Sequence, residues 1–381
     1  MYLFEGEEHA ALRSQVRRFA REHIAPHAAE WEEEEEFPVQ LYRAAAEAGM
    51  IGIGYPPEVG GAGGDVTHVL VAADEIILAG RSVGTAVGLG SHGIAIPPIL
   101  RFGTDEQKQR FAVPVVAGAK IAALAITEPG GGSDVASLAT RAERRGDEYV
   151  VNGAKTFITS GCRADIVTTA VRTGGEGHAG VSLLVIERGT PGFEVSRKLK
   201  KTGWWASDTA ELSFADCRVP AANLIGGENA GFPMIMANFV PERLMLAGQC
   251  VAIADLAYRE SVAYARERRA FGRSLGGFQV IRHKLADMVT RIAAARALTG
   301  EVAVRAARGE LTAASLAAMA KNAASDACSW VVDQAVQIHG GYGYMREVLV
   351  ERLFRDARLY PIGGGTREIM NEIISKTEGY G

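Results

Sequence analysis

The spacing of apolar residues changes period twice along this chain. In the first third, Leu12, Val16 and Phe19 recur at helical spacing with Pro26 beyond them, which predicts an opening helix. Pro38 opens a second helix through Leu41, Ala45 and Ala48, closed by Gly49. A Pro/Gly-rich loop covers Gly54–Gly64, and helical patterning resumes from Val66. Thr104-x-x-Gln107 reads as a capping box at the start of a helix that stops near Gly118.

Near Lys120 the texture turns to short β-rich runs: Ile121–Thr127, Tyr149–Val151, Lys155–Thr159, Ile166–Arg172, Val181–Glu187, Phe193–Arg197 and Glu211–Phe214. Turn signals separate them at Arg145-Gly146-Asp147, Asn152-Gly153 and Gly174–Gly180. Such repetition predicts an antiparallel barrel or sandwich instead of βαβ units. Past Gly231 come three long Ala-rich helical stretches, Phe232–Arg268, Phe278–Arg308 and Thr312–Ile338. The expected fold is α+β and multidomain. It has an N-terminal α-helical domain over 1–120, a central antiparallel β-barrel over 121–230 and a C-terminal four-helix bundle over 231–381.

Composition narrows the function classes. The 381 residues are 48% hydrophobic, enough for real cores, and 41 Lys+Arg against 45 Asp+Glu leave a net charge of −4. That balance argues against nucleic acid as a partner. No charge-free run reads as apolar enough throughout to span a bilayer, so no membrane span is expected, and the acidic Met1–Glu8 segment does not read as a signal or transit peptide. Cys162, Cys217, Cys250 and Cys328 lie far apart, without zinc or disulfide spacing, so a reducing cytoplasm is the expected address. The Glu32–Glu36 run reads as a solvated helix end or loop.

One glycine pattern misleads. Gly88-Leu-Gly90-Ser-His-Gly93 satisfies G-x-G-x-x-G, but a dinucleotide fingerprint needs a strand before it, and here the flanks are helical with Pro97-Pro98 breaking the chain just beyond. Four other segments carry candidate chemistry. In Ala125-Ile126-Thr127-Glu128-Pro-Gly-Gly-Gly132-Ser133-Asp134, a strand runs into a glycine turn that a flat ring or pyrophosphate can approach closely; a plain turn is the other reading. Arg268-Arg-Ala-Phe271-Gly272 with Phe278-Gln279 suits a phosphate beside an adenine, or else a charged helix end. Gln337-Ile-His339-Gly340-Gly341 ends an apolar helix and is either a C-cap or a binding turn. Gly363-Gly364-Gly365-Thr366-x-Glu368 makes a sharp loop at a helix start, a ready anion site.

Taken in this order, these motifs resemble the acyl-CoA dehydrogenase flavoprotein family over essentially the whole chain. The resemblance implies FAD held between the β-domain and the bundle. Leu124, Ile126, Thr127, Gly132 and Ser133 match the flavin-lining loop, and Phe157, Ile158 and Thr159 match the second flavin-facing strand. Arg268, Phe271 and Gln279 match contacts to pyrophosphate and adenine made across a subunit interface. Gln337, Gly340 and Gly341 match the same neighbour's contribution, and Thr366 and Glu368 match the last FAD contacts. Ser133, Arg243, Gly364 and Gly365 stand as substrate contacts.

The base is the departure. Many members carry Ile-Tyr-Glu-Gly-Thr, whereas the matching run here is Ile362-Gly-Gly364-Gly-Thr366, so the usual position holds no side chain. The long-chain and isovaleryl branches place the base in a Glu-Arg-Leu run on a bundle helix, which assigns Glu242. The implied activity is FAD-dependent dehydrogenation of a medium, long or branched acyl-CoA to the trans-2-enoyl thioester. Electron-transferring flavoprotein is the implied acceptor and a homotetramer the implied assembly. Alternatives are a nitroalkane-oxidase-like flavin oxidase or monooxygenase, a dehydrogenase of acyl carrier protein thioesters, and a non-catalytic scaffold. Trp204-Trp205, where the family often has a polar or basic residue at the second position, either closes over the flavin or packs the end of the β-domain.

Overall fold

The computed structural model describes residues 1–310 and 313–380. Its order is helices, sheet, helices. The opening helix Glu7–His23 packs on Val66–Gly80, and Gln40–Glu47 lies between them in sequence, as the apolar spacing predicts. The box at Thr104 and Gln107 forms, each side chain bonding the other's backbone N–H. The Gly88–Gly93 segment lies on the helices Val83–Leu89 and His92–Ala95, with no strand leading into it. Pro97 does not break the chain but opens the helix Pro97–Phe102, where its missing N–H costs nothing.

The central sheet holds β1 (Ala122–Ala125), β2 (Arg141–Arg145), β3 (Glu148–Thr159), β4 (Ile166–Arg172), β5 (Val181–Glu187), β6 (Phe193–Lys198), β7 (Thr209–Pro220) and β8 (Leu224–Ile225). Strand order is β6-β7-β3-β2-β4-β5-β8, with β1 beside β4. The expected closed antiparallel barrel is corrected on two counts. The sheet is open, because β6 and β8 end it without pairing to each other. It is also mixed, because β1 runs parallel to β4 and β2 meets β4 in a single parallel pair, Arg141 with Arg172. That one-pair joint lets the sheet fold into two lobes. The free β6 edge carries Glu194, Arg197 and Lys198, charges that discourage edge pairing.

Asn152-Gly153 is not the turn its dipeptide suggests. β3 runs through it with a register shift between Val151 and Gly153, and the Asn152 side chain bonds Asp216 on β7 in both directions. β2 gave no apolar signal because four of its five residues are charged.

The C-terminal helices are Gly231–Glu267, Gln279–Ala307 and Ala313–His339, with Leu349–Ala357 and Arg367–Glu378 packed on the third. The predicted start at Thr312 lies outside the described residues. Small buried residues, Ala247, Gly248 and Ala252 among them, let these helices approach closely. A Cβ at Gly248 would overlap Leu70 Cδ1 on Val66–Gly80. Buried charge aligns the two helical regions. Arg13 bonds Glu5, Asp74 and Glu75, and Arg296, which bonds Asp255 at 2.9 Å, also lies 4.0 Å from Asp74 across the two regions. Among the described residues, no single helix is long and apolar enough to cross a membrane.

Candidate active site

β1 alternates, so Ala123 and Ala125 fill the sheet core while Leu124 and Ile126 face the other way. That second face meets Phe232, Met236 and Phe239 at the head of the helix Gly231–Glu267. The glycine turn therefore leaves the sheet beside the bundle. A buried ion pair pins its start. Lys155, fully buried on β3, donates to Glu128 Oε1 at 2.8 Å and to the Ile126 carbonyl at 2.9 Å. The Glu128 carboxylate also accepts the N–H groups of Ala139 (2.6 Å) and Thr140 (2.9 Å), so the whole turn closes on one side chain. Burial pulls the Lys155 ammonium down to about 8, against the opposing pull of Glu128.

Within this turn, Pro129 through Asp134 are exposed, including Gly132 and Ser133, and Thr127 is half-buried. A Cβ at Gly130 or Gly131 would meet nothing within 4 Å. The protein itself gives no reason for glycine there, whereas a ring or phosphate lying against the backbone does. On this count the residues fit FAD. On β3, Phe157 takes φ +60° at a register irregularity and is 68% exposed. Ile158 is buried in the sheet core, so only its backbone faces outward, and Thr159 is half-buried.

Pro241 lies inside the helix Gly231–Glu267 and leaves the Ala237 carbonyl without its i+4 donor, loosening the helix one residue before Glu242. Glu242 is half-buried as a residue, but its Oε2 is sealed from solvent with no hydrogen-bond partner. Burial raises its carboxyl to about 7, although Arg243 and Lys321 pull the other way. Gly364, at φ +65°, lies directly opposite. A Cβ built there would stand 3.5 Å from Glu242 Oε1 and 3.7 Å from Lys321 Cε, and would overlap Leu246 Cδ1. Arg243 is buried with Nε unpartnered, and its guanidinium lies 5.2 Å from the Phe239 ring. A Cβ on Gly365 would be 3.9 Å from Arg243 Nη2. Glu242, Arg243, Gly364 and Gly365 thus converge.

The other predicted residues do not join this cluster. Arg268, Phe271 and Gln279 are exposed, and Phe271 and Gly272 form the tip of a projecting hairpin, Arg269–Ala270 paired with Arg273–Ser274. Gln337, Gly340 and Gly341 are exposed where the helix Ala313–His339 ends. Thr366 caps the helix Arg367–Glu378 by accepting the Ile369 N–H, and the Arg367 N–H goes to Pro361, so part of the expected anion site is already paired. Glu368 is exposed in that helix's first turn. Trp204 is buried edge-to-face on Tyr360 at 5.4 Å with its Nε1 unpartnered, and Trp205 lies under Arg355 at 3.8 Å.

Three matched regions span the chain: the acyl-CoA dehydrogenase N-terminal domain over residues 6–119, the middle domain over 123–217 and the C-terminal domain over 229–378. The chain belongs to the acyl-CoA dehydrogenase family. It is 43% identical over 371 residues to an acyl-CoA dehydrogenase of Bacillus subtilis (strain 168), covering 97% of each. It is 39% identical over 375 residues to the mitochondrial long-chain specific acyl-CoA dehydrogenase of Rattus norvegicus, covering 97% of this chain and 86% of that one. The crystal structure of a probable acyl-CoA dehydrogenase from Mycobacterium abscessus superposes with a TM-score of 0.97 at 54% identity, covering 98% of this chain and 99% of that one.

This acyl-CoA dehydrogenase is accordingly an FAD-dependent oxidoreductase acting on CH–CH groups. Sequence reasoning missed Lys155–Glu128, Lys321 and Leu246. A lone lysine within an apolar strand or helix is the signal that would have found the first two.

Lys155→Met leaves Glu128 without its cation, and FAD affinity should fall about tenfold or more. Equilibrium dialysis with FAD fluorescence checks this, and unchanged retention would refute it. For Glu242, a carboxyl raised from 4.5 to about 7 favours the folded state at low pH, and that contribution is lost as pH rises through 7. Glu242→Gln should therefore stabilise the protein above pH 7 by on the order of 1–3 kcal/mol and have little effect near pH 4. Denaturation midpoints at pH 5 and 8 give the comparison; an equal shift at both would count against a buried charge.

Proposed function

We propose that this enzyme oxidises the α,β bond of an acyl-CoA, with Glu242 as the base that removes the α-proton. The observation that carries the reading is the Glu242 carboxylate, with Oε2 sealed and unpartnered and Oε1 facing Gly364, the position where many relatives keep their own carboxylate. With its carboxyl near 7, Glu242 is substantially ionised at neutral pH and basic enough to take a weakly acidic α-proton on Oε2. The Gly364 backbone, held at φ +65°, offers an N–H to the thioester oxygen as charge builds there. Arg243 closes the other side of that loop, and the apolar wall of Phe239 and Leu246 excludes water from the proton transfer. FAD would be held by the exposed glycine turn after Thr127 and the β3 backbone near Phe157, and would supply the hydride acceptor for the β-hydrogen, giving the trans-2-enoyl thioester.

A base on the bundle helix supports the long-chain or isovaleryl-like branch, and so medium, long or branched acyl chains, as in fatty acid β-oxidation. Electron-transferring flavoprotein is the proposed acceptor. Cys162, Cys217, Cys250 and Cys328 are all free thiols, which supports the cytoplasm. The assembly proposed is a homotetramer, with a neighbouring copy completing each FAD site. Arg268, just past the end of the helix Gly231–Glu267, lies 26 residues beyond Glu242, about 39 Å along the axis, too far for one cofactor to touch both within a chain. The exposed Phe271 hairpin is then a reach into the neighbour.

Anaerobic titration with straight and branched acyl-CoAs, followed by flavin absorbance, tests the reading. Bleaching should occur with wild type and slow by roughly 10²–10⁴-fold in Glu242→Gln with FAD still bound. A Glu242→Gln protein that bleaches at the wild-type rate would remove the base assignment. Flavin that stays oxidised with every CoA thioester would favour a carrier-protein substrate, an oxidase or a scaffold. Arg268→Ala should release FAD on dilution and shift the sedimentation profile toward smaller species; retention of both would exclude the shared site.

A further inference from the structure

Lys321 is a buried cation in the middle of the proposed active site, and nothing in the mechanism so far uses it. It lies on the helix Ala313–His339 and is 1% exposed. Its Nζ donates to the Gly365 carbonyl at 2.5 Å, the one hydrogen bond it makes among the described residues, although an ammonium carries three donors. Its Cε and Glu242 Oε1 approach the same point above Gly364, at 3.7 Å and 3.5 Å, so these two atoms are no more than about 7 Å apart. They come from different helices with the glycine loop between them.

The surroundings limit what else can act on Glu242. Arg243 is the charged neighbour on its own helix, and Lys321 is the one from the facing helix. The loop 362–366 brings no ionisable side chain. On the far side of Lys321 is the Cys250 thiol, which burial keeps protonated. A full ammonium is costly to bury without a partner carboxylate in contact, so a bond to one carbonyl is a poor structural reason to place it there.

We propose that Lys321 is a positioning residue for the reaction: its charge keeps the buried Glu242 carboxylate ionised, and its bond to the Gly365 carbonyl fixes the loop that presents the Gly364 N–H. This rests on Glu242 being the base. Before proton transfer, the lysine stabilises the carboxylate. As the proton moves to Glu242, negative charge passes to the thioester oxygen on the same loop, and the fixed ammonium remains close to it. In the transfer step Lys321 neither gains nor loses a proton; burial lowers its ammonium to about 8, so it carries the charge at neutral pH and below.

The test uses two readouts on the FAD-loaded enzyme across pH 5–10. One is flavin bleaching by an acyl-CoA that wild type accepts. The other is enolate absorbance on binding acetoacetyl-CoA, which reports α-proton removal with no electron transfer. In wild type both should show an acid limb that Glu242→Gln abolishes. Lys321→Met and Lys321→Gln should move that limb up by at least about one pH unit, giving a loss of about tenfold at pH 6 that is largely recovered by pH 9. Lys321→Arg, which keeps the charge, should leave the limb in place. Neutral variants that slow equally at every pH, or that hold no FAD at all, would overturn the proposal by reducing Lys321 to a structural part. An arginine variant that moves the limb as far as methionine does would overturn it too. Failure of the underlying reading looks different: Glu242→Gln would then form enolate normally, whatever Lys321 does.

Discussion

The site depends on a carboxyl group that the fold hides from water and leaves unpaired. An isolated buried carboxylate is expensive, and most proteins give one a close cation or several donors. Here Glu242 Oε2 has neither, and its nearest cations stand off without forming an ion pair. The cost appears as a carboxyl raised to about 7. The same feature that weakens the folded state as pH rises makes the group a competent base near neutrality. The buried Arg13 network and the close-packed Ala- and Gly-rich helices supply the rigidity that holds such a group in place.

The cofactor side is built on the opposite principle. The glycine turn after β1 is exposed and has almost no internal side-chain support, yet its start is tied to β3 by a directly bonded carboxylate–ammonium pair. A pliable loop anchored at its base can present backbone N–H groups to a ligand without collapsing onto the sheet. Two lysines with similar burial therefore do different work. Lys155 meets its carboxylate directly, while Lys321 keeps its distance from Glu242. Contact between Lys321 and Glu242 would have lowered the carboxyl's basicity and tied up the oxygen that must take the proton.

Much of this was legible from residue order. Long apolar periodicities gave the helices, and turn residues with short β-branched runs gave most strands. The sheet's open form was not legible, because it turns on whether the edge strands β6 and β8 meet, and the parallel joint of β2 to β4 was hidden because Arg141–Arg145 has no apolar face to reveal its partner. Asn152-Gly153 misled because the dipeptide serves a bulge as readily as a turn once Asp216 is opposite. At the site, Glu242 was found through an absence, the missing side chain at Gly364. Lys155 and Lys321 were not found, since spacing along a chain does not show that a lysine points inward toward a carbonyl on another element.

The change at Gly364 is also less simple than a deleted carboxylate. Leu246, one helical turn beyond Glu242, places Cδ1 where it would overlap a Cβ on residue 364. The leucine fills the space a loop carboxylate's stem would need. The backbone there lies at φ +65°, a region where a side chain adds strain of order ~1 kcal/mol or more. Restoring a glutamate on the loop therefore requires more than one substitution: the leucine must shrink and the loop must relax. Glycine at 364, leucine at 246 and glutamate at 242 form one mutually dependent set, in which the helix supplies the base and the loop supplies only backbone. That dependence gives a physical reason for the base to stay on the helix in this chain, because each single step back toward the loop meets a clash or leaves two carboxylates competing for one buried place.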